Sequence, residues 1–215
     1  MSEALSPKEL ERKAFRSTFQ DGLWDIYLGM LLFLIGGGVG LVRIFSFDLI
    51  TINLILVLVA VVIVVGFFLG KKFITVPRLG MVRFGPVRKA KMKKVTILLS
   101  FSALVGLFAL VSFRFVGNIE GIPSWLIPFG SFAVMSVVVF SLGAYYLDYS
   151  RAYLYGWCYA LAFPAGIFLD NYTSLGLLIS YVIFSCIMII PGVKLLVRFL
   201  RDYPIPVNEV GGAVE

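Results

Sequence analysis

The chain has 215 residues, of which 60% are apolar, and its mean hydropathy is +0.98. Soluble domains contain about 45–50% apolar residues, so this composition excludes an ordinary soluble protein. The formal net charge is +7, and histidine, the commonest general base and metal ligand, is absent from the sequence. The composition therefore favours a membrane protein without a histidine-based catalytic or metal centre.

Six apolar runs are long enough to cross a bilayer, which requires about 20 residues of helix. Because lipid offers no water to the backbone, each run is predicted to be a helix. The predicted fold class is an all-α integral membrane protein with six transmembrane helices in a membrane domain of residues 22–200. The runs occupy residues 22–43, 49–70, 95–114, 124–147, 152–169 and 174–193.

Residues 1–21 are predicted to form a cytoplasmic N-terminal segment that contains an interfacial helix. Ser6 suits the cap, Pro7 the first helical position and Glu9 the capping box. The apolar residues that follow fall roughly on one stripe, as in helices that lie on a membrane surface. A solvated tail is the alternative.

Two carboxylates open the first run. Asp21 and Asp25 are four residues apart and therefore share a helix face. Asp25 lies about one turn inside the span, where a carboxylate is costly unless it meets a polar cavity or a cation. Aromatic and basic residues between the fourth and fifth runs could line such a pocket, although an interfacial aromatic belt is the alternative explanation. The candidate pocket comprises Asp21, Asp25, Tyr149, Arg151 and Trp157.

A basic cytoplasmic loop, residues 71–94, separates the second and third runs and contains nine Lys and Arg but no acidic residue. Two β-prone stretches, residues 73–76 and 81–84, flank turn-forming residues 77–80, which predicts a short β-hairpin-like loop. Each cation near an anionic leaflet contributes on the order of 1 kcal/mol, so the loop is expected to bind anionic headgroups or a protein partner. A role in topology alone is the alternative. The candidate binding residues are Arg78, Arg83, Arg88, Lys89 and Lys93.

Orientation follows from the same charges, because loops rich in Lys and Arg stay in the cytoplasm. With both termini on one side, that side holds seventeen of the nineteen Lys and Arg, and only Arg43 and Arg114 lie on the other. We therefore expect cytoplasmic N- and C-termini in a cell membrane. Residues 201–215 are expected to form a disordered cytoplasmic tail.

The six runs pair into three helical hairpins, and each even-numbered run ends with apolar, aromatic and basic residues. Duplication of one hairpin would produce parallel repeats, whereas unrelated cytoplasmic helix ends would look similar without duplication. Residues 76–85 (VPRLGMVRFG) and 195–204 (LLVRFLRDYP) resemble a group of uncharacterised archaeal and bacterial multi-pass membrane proteins. In that group a PR-x-G-x-V-x-F loop follows the second span. The resemblance implies a prokaryotic cell membrane and carries no activity.

Catalytic chemistry is not supported, because the sequence has no histidine, and Cys158 and Cys186 are isolated within apolar runs. No metal or cofactor is expected, and a nucleic-acid partner is disfavoured because the basic loop is short and close to the membrane. The leading hypothesis is a non-enzymatic accessory or lipid-binding membrane protein with a basic cytoplasmic face, with a protein partner or a second copy as further partners. The alternative is a small-solute transporter or channel with its entrance near Asp25.

Overall fold

The computed structural model describes residues 19–45, 48–79, 90–100 and 126–204, and every regular element within these ranges is helical. Within these ranges, five segments are long and apolar enough to cross a membrane. This confirms the helical character predicted from the apolar runs and is consistent with a multi-pass membrane protein. The elements are α1 (Leu23–Phe45), α2 (Leu49–Gly70), a π turn (Lys71–Thr75), α3 (Val76–Leu79), α4 (residues 90–100), α5 (Leu126–Leu147), α6 (Arg151–Asp170) and α7 (Gly176–Asp202).

Some predictions lie outside the described residues. These are the interfacial helix of residues 1–18, residues 80–89 of the basic loop, the third run from residue 101 and the tail from residue 205. The start of the third run is described, and it is helical from residue 90 to residue 100.

The first half of the predicted β-hairpin is wrong. α2 continues through the π turn into α3, so residues 71–79 are helical and not extended. A proline inside a helix clashes with the carbonyl four residues earlier. The π turn directly before Pro77, in which the Val76 N–H bonds to the Lys71 carbonyl, widens the helix where that clash would occur. The β-prone residues therefore extend the second helix by about two turns.

The helices pack as a chain of neighbours: α2 lies against α1, α1 against α7, α7 against α6, and α6 against α5. Glycines permit the close approach of α1 and α7. A methyl group on Gly192 would lie 2.8 Å from the Asp25 Cβ and 3.0 Å from the Ile26 backbone nitrogen. Leu32 and Met188 are fully buried between these helices. α2 and α5 bury few of their apolar side chains, as expected of helices that contact lipid.

The helix directions bring distant parts of the sequence to one end of the bundle. Asp21 pairs with Lys71 at the end of α2, and Asp25 pairs with Arg151 at the start of α6. Gly22, with φ +75°, lies against the last turns of α7. We call this the carboxylate end. The opposite end is where α1 finishes and the turn between α6 and α7 lies.

Candidate functional site at the carboxylate end

Asp21 anchors the extension of α2 to the start of α1. Its side chain is fully buried. One carboxylate oxygen accepts the Leu23 N–H at 3.2 Å and so caps α1. The other accepts hydrogen bonds from Lys71 Nζ and Thr75 Oγ1, both at 2.6 Å. The π turn therefore presents two donors to the same carboxylate oxygen.

Asp25 anchors α6 to α1 in the same way. It too is fully buried. One carboxylate oxygen accepts hydrogen bonds from the Tyr149 hydroxyl and, at 2.6 Å, from the Tyr155 hydroxyl. The other accepts from the Arg151 guanidinium, which also donates to the Phe19 carbonyl at 2.8 Å. Within the described part of the chain, every hydrogen-bond donor to Asp25 thus comes from α6 or the turn before it.

The local sequence explains how α6 supplies these donors. Arg151, Tyr155 and Tyr159 are spaced by four residues and therefore lie on one face of the helix. Tyr159 extends the row by donating to the Leu28 carbonyl at 2.7 Å. Before α6 the chain reverses at Asp148, whose φ of 53° lies in the left-handed region that aspartate tolerates better than most residues. This turn points Tyr149 at Asp25.

These side chains form a buried cluster of two adjoining hydrogen-bonded sets, which together contain two carboxylates and two cations and are therefore electrically balanced. Isolated charges at this depth would be expensive, but paired and hydrogen-bonded charges are tolerated. The cluster joins α1, the end of α2 and the start of α6. Its members are Asp21, Asp25, Lys71, Thr75, Tyr149, Arg151 and Tyr155.

A cleft of about 660 Å³ lies beside the buried cluster. Tyr149 and Arg151 belong to both, because they hold Asp25 on one side and line the cleft on the other. Asp25 itself has no exposed surface and lies behind them. The cleft is lined by Phe19, Gln20, Lys91, Ala144, Tyr145, Asp148, Tyr149, Ser150, Arg151 and Tyr153.

Four of the five residues of the candidate pocket lie in the buried cluster. Trp157 is the exception: it is 55% exposed on the outer surface of α6 and does not line the cleft. Sequence reasoning missed Tyr155, although its spacing of four residues from Arg151 was a usable signal. It also counted Lys71 only as a loop charge, because nothing local in the sequence joins Lys71 to Asp21.

The candidate lipid-binding residues are only partly described. Arg78 is half-buried and donates to the Ile74 carbonyl at 2.9 Å, so its guanidinium is partly engaged within its own helix. Lys93 is exposed on α4. Arg83, Arg88 and Lys89 lie outside the described residues.

Positive charge is concentrated at the carboxylate end. Of the eleven Lys and Arg in the described ranges, ten lie at this end and only Arg43 lies at the other. Part of this charge is used inside the buried cluster, by Lys71 and Arg151. The exposed cations are Lys72, Lys93, Lys94, Lys194, Arg198 and Arg201.

The opposite end has a simpler ion pair. Arg43 donates to both oxygens of Asp170, at 2.9 and 2.8 Å, and to the Ser174 carbonyl at 2.5 Å. The pair joins the end of α1 to the turn between α6 and α7, and 37% of the Arg43 side chain is exposed. Nearby, Asp48 caps α2, and its hydrogen bonds from Thr51 hold the pKa of Asp48 below its usual value.

No group of three or more Cys, Asp or Glu side chains in the described ranges is placed to hold a metal ion. Cys158 is buried and Cys186 is exposed, and both thiols are free. Comparison of the chain with known protein families, curated proteins and solved structures finds no match. The function is therefore inferred from the geometry of the carboxylate end.

Proposed function

We propose that this protein is a non-enzymatic membrane protein whose carboxylate end binds anionic lipid headgroups in the cytoplasmic leaflet. The supporting observation is the one-sided charge: ten of the eleven described Lys and Arg lie at this end. By the positive-inside rule, the same asymmetry directs this end, and with it both termini, to the cytoplasm.

The charges inside the buried cluster are paired with one another, unlike those of the exposed rim. Lys71 and Arg151 are matched by two buried carboxylates. Among the residues that the structure describes, Asp202 is the one carboxylate that pairs with these exposed cations. Asp202 lies 3.3 Å from Arg198 and 3.6 Å from Arg201, but all three are exposed, and such pairs interact weakly in water. A basic rim thus lies beside a charge-balanced interior, and each rim cation near an anionic leaflet contributes on the order of 1 kcal/mol.

The proposal is tested with the protein in lipid nanodiscs that contain phosphatidylcholine alone or mixed with phosphatidylglycerol. The quantity measured is the binding of phosphatidylglycerol to the protein. The full chain is compared with a triple variant, Lys93→Gln, Lys194→Gln and Arg198→Gln, all of whose changed positions are exposed. At about 1 kcal/mol for each cation, the variant should bind anionic lipid roughly a hundredfold more weakly. Equal retention of phosphatidylglycerol by the two proteins contradicts the proposal.

Asp202→Asn provides a control of opposite sign. It removes one exposed negative charge from the rim and should therefore strengthen the binding of anionic lipid. A variant that weakened binding despite its higher positive charge would show that the rim does not act electrostatically.

A small-solute transporter or channel is the second candidate, and one observation favours it. Tyr149 and Arg151 form part of the cleft wall and also hold Asp25, so these two side chains lie between the cleft and a buried carboxylate. This candidate predicts solute flux in proteoliposomes that is lost in Asp25→Asn. Unchanged flux in that variant would exclude a role for Asp25 in transport.

A further inference from the structure

The cleft beside the buried cluster has the size and placement of a ligand site. Its volume of about 660 Å³ lies within the range of about 300–1,000 Å³ common for small-molecule pockets. Its walls come from separate parts of the chain: Lys91 from α4, Tyr145 from α5, and Ser150 and Arg151 from the start of α6.

Basic side chains approach the cleft from two helices. Lys91 and Arg151 approach it from two different helices, and Asp148 is the carboxylate in its lining. Asp25 and the Phe19 carbonyl hold the Arg151 guanidinium in position. A guanidinium has more N–H donors than these two bonds use, and its planar fork matches a phosphate group. Arg151 is thus oriented in advance for an oxyanion in the cleft.

The start of α6 adds to this field. Ser150 and Arg151 line the cleft at the N-terminus of a 20-residue helix, where the helix dipole favours negative charge. The exposed Ser150 hydroxyl makes no capping bond to the helix within the described residues, so it can turn toward a ligand. Two cations, a helix N-terminus and a hydroxyl therefore converge on one space.

The surroundings indicate a lipid as the source of the phosphate. Tyr145 and Tyr153 are 66% and 46% exposed at the edge of two predicted spans, where aromatic side chains meet lipid headgroups. Building on the lipid-binding function above, we infer that the cleft is a discrete site for the phosphate of an anionic lipid headgroup, held between Lys91 and Arg151. The site is distinct from the exposed rim.

A matched pair of variants on α4 tests this site. Lys91 lines the cleft, whereas Lys93 lies two residues further along the same helix and does not. Lys91→Gln should weaken phosphatidylglycerol binding in mixed nanodiscs by about thirtyfold, because a charge-assisted contact is lost. Lys93→Gln should weaken it by about fivefold, the effect of one rim cation that contributes about 1 kcal/mol. Native mass spectrometry should also show one retained lipid lost in Lys91→Gln and kept in Lys93→Gln.

The outcomes of these experiments distinguish the discrete cleft site from general lipid binding by the basic rim. If the triple rim variant loses lipid but Lys91→Gln and Lys93→Gln have equal effects, the discrete site is wrong and the basic rim remains. If the unchanged protein does not retain phosphatidylglycerol, both proposals fail.

A separate experiment tests whether the cleft binds a soluble phosphate compound and not a lipid. Glycerol 3-phosphate is added to the protein in uncharged detergent, and the melting temperature is measured. The lipid assignment predicts stabilisation by short-chain phosphatidylglycerol and none by glycerol 3-phosphate. Equal stabilisation by both, lost in Lys91→Gln, would overturn the lipid assignment in favour of a free phosphate compound.

Discussion

The two ends of the bundle both use ion pairs, but in different surroundings. At the carboxylate end, Asp21 and Asp25 have no exposed surface, and each accepts side-chain hydrogen bonds from another helix or turn. At the opposite end, Arg43 and Asp170 form a bidentate ion pair that is partly exposed to solvent. Burial makes an ion pair costly to break, whereas exposure allows water to replace the lost partner. The carboxylate end should therefore tolerate fewer changes.

The largest expected effect is that of Asp25→Ala. It leaves Arg151, Tyr149 and Tyr155 without their common acceptor, and breaking a buried pair in this way costs about 3 kcal/mol or more. A large fall in melting temperature in detergent is expected. Asp202→Ala, which removes an exposed aspartate from the same end, is the control and should have little effect. Similar changes in the two variants would mean that burial does not distinguish these carboxylates.

Helix spacing at the carboxylate end should be the next most sensitive feature. In Gly192→Ala the new methyl group would lie 2.8 Å from the Asp25 Cβ, so α1 and α7 must separate at a cost of about 2 kcal/mol. Gly37→Ala is the matched control, because nothing lies within 4 Å of a methyl group there. That variant should be neutral or stabilised by up to about 1 kcal/mol, since alanine favours helix. Equal destabilisation of both would contradict close packing at Gly192.

A smaller loss is expected for Tyr155→Phe. The change removes one hydrogen bond to a carboxylate, worth about 1.5 kcal/mol, and leaves the ring in place. Tyr145→Phe, at an exposed position, should leave the free energy of unfolding unchanged. Because Tyr149 and Tyr155 share one oxygen of Asp25, the losses in the double variant should not add. Additive losses would show that the two hydroxyls act independently.

The smallest effect is expected at the opposite end. Arg43→Ala removes the pair with Asp170, and exposed pairs contribute less than about 1 kcal/mol. Chemical unfolding in detergent measures the difference. A loss of stability as large as that in Asp25→Ala would contradict the expected difference between the buried and the exposed ion pairs.

The sequence alone predicted the helical runs well, because the need for about 20 apolar residues is a local property. It also singled out Asp25, since a carboxylate within an apolar run requires a partner. It did not predict the continuation of α2 through residues 71–79, where β-prone residues lie next to Pro77. Local propensity favoured strands, but Lys71 and Thr75 reach Asp21 only from a helical turn, and that contact spans about fifty residues of sequence.

The candidate pocket also shows that contacts between distant parts of the sequence are hard to predict from local patterns. Asp25, Tyr149 and Arg151 were grouped by their chemistry and by the predicted topology, and the structure brings them together. Trp157 was included because it is aromatic and near in sequence, yet α6 turns it outward. Lys91 of the cleft could not be selected among the loop cations, because its place there depends on how α4 lies beside α5 and α6.

The central claim is that the carboxylate end, and not the opposite end, contacts anionic lipid. Photo-cross-linking with a phosphatidylglycerol that carries a reactive group on its headgroup tests it most directly, with the labelled peptides mapped by mass spectrometry. Labelling is predicted within residues 90–100 and 145–153 and not around Arg43 and Asp170. Equal labelling of the two ends, or labelling of the opposite end alone, would contradict the account.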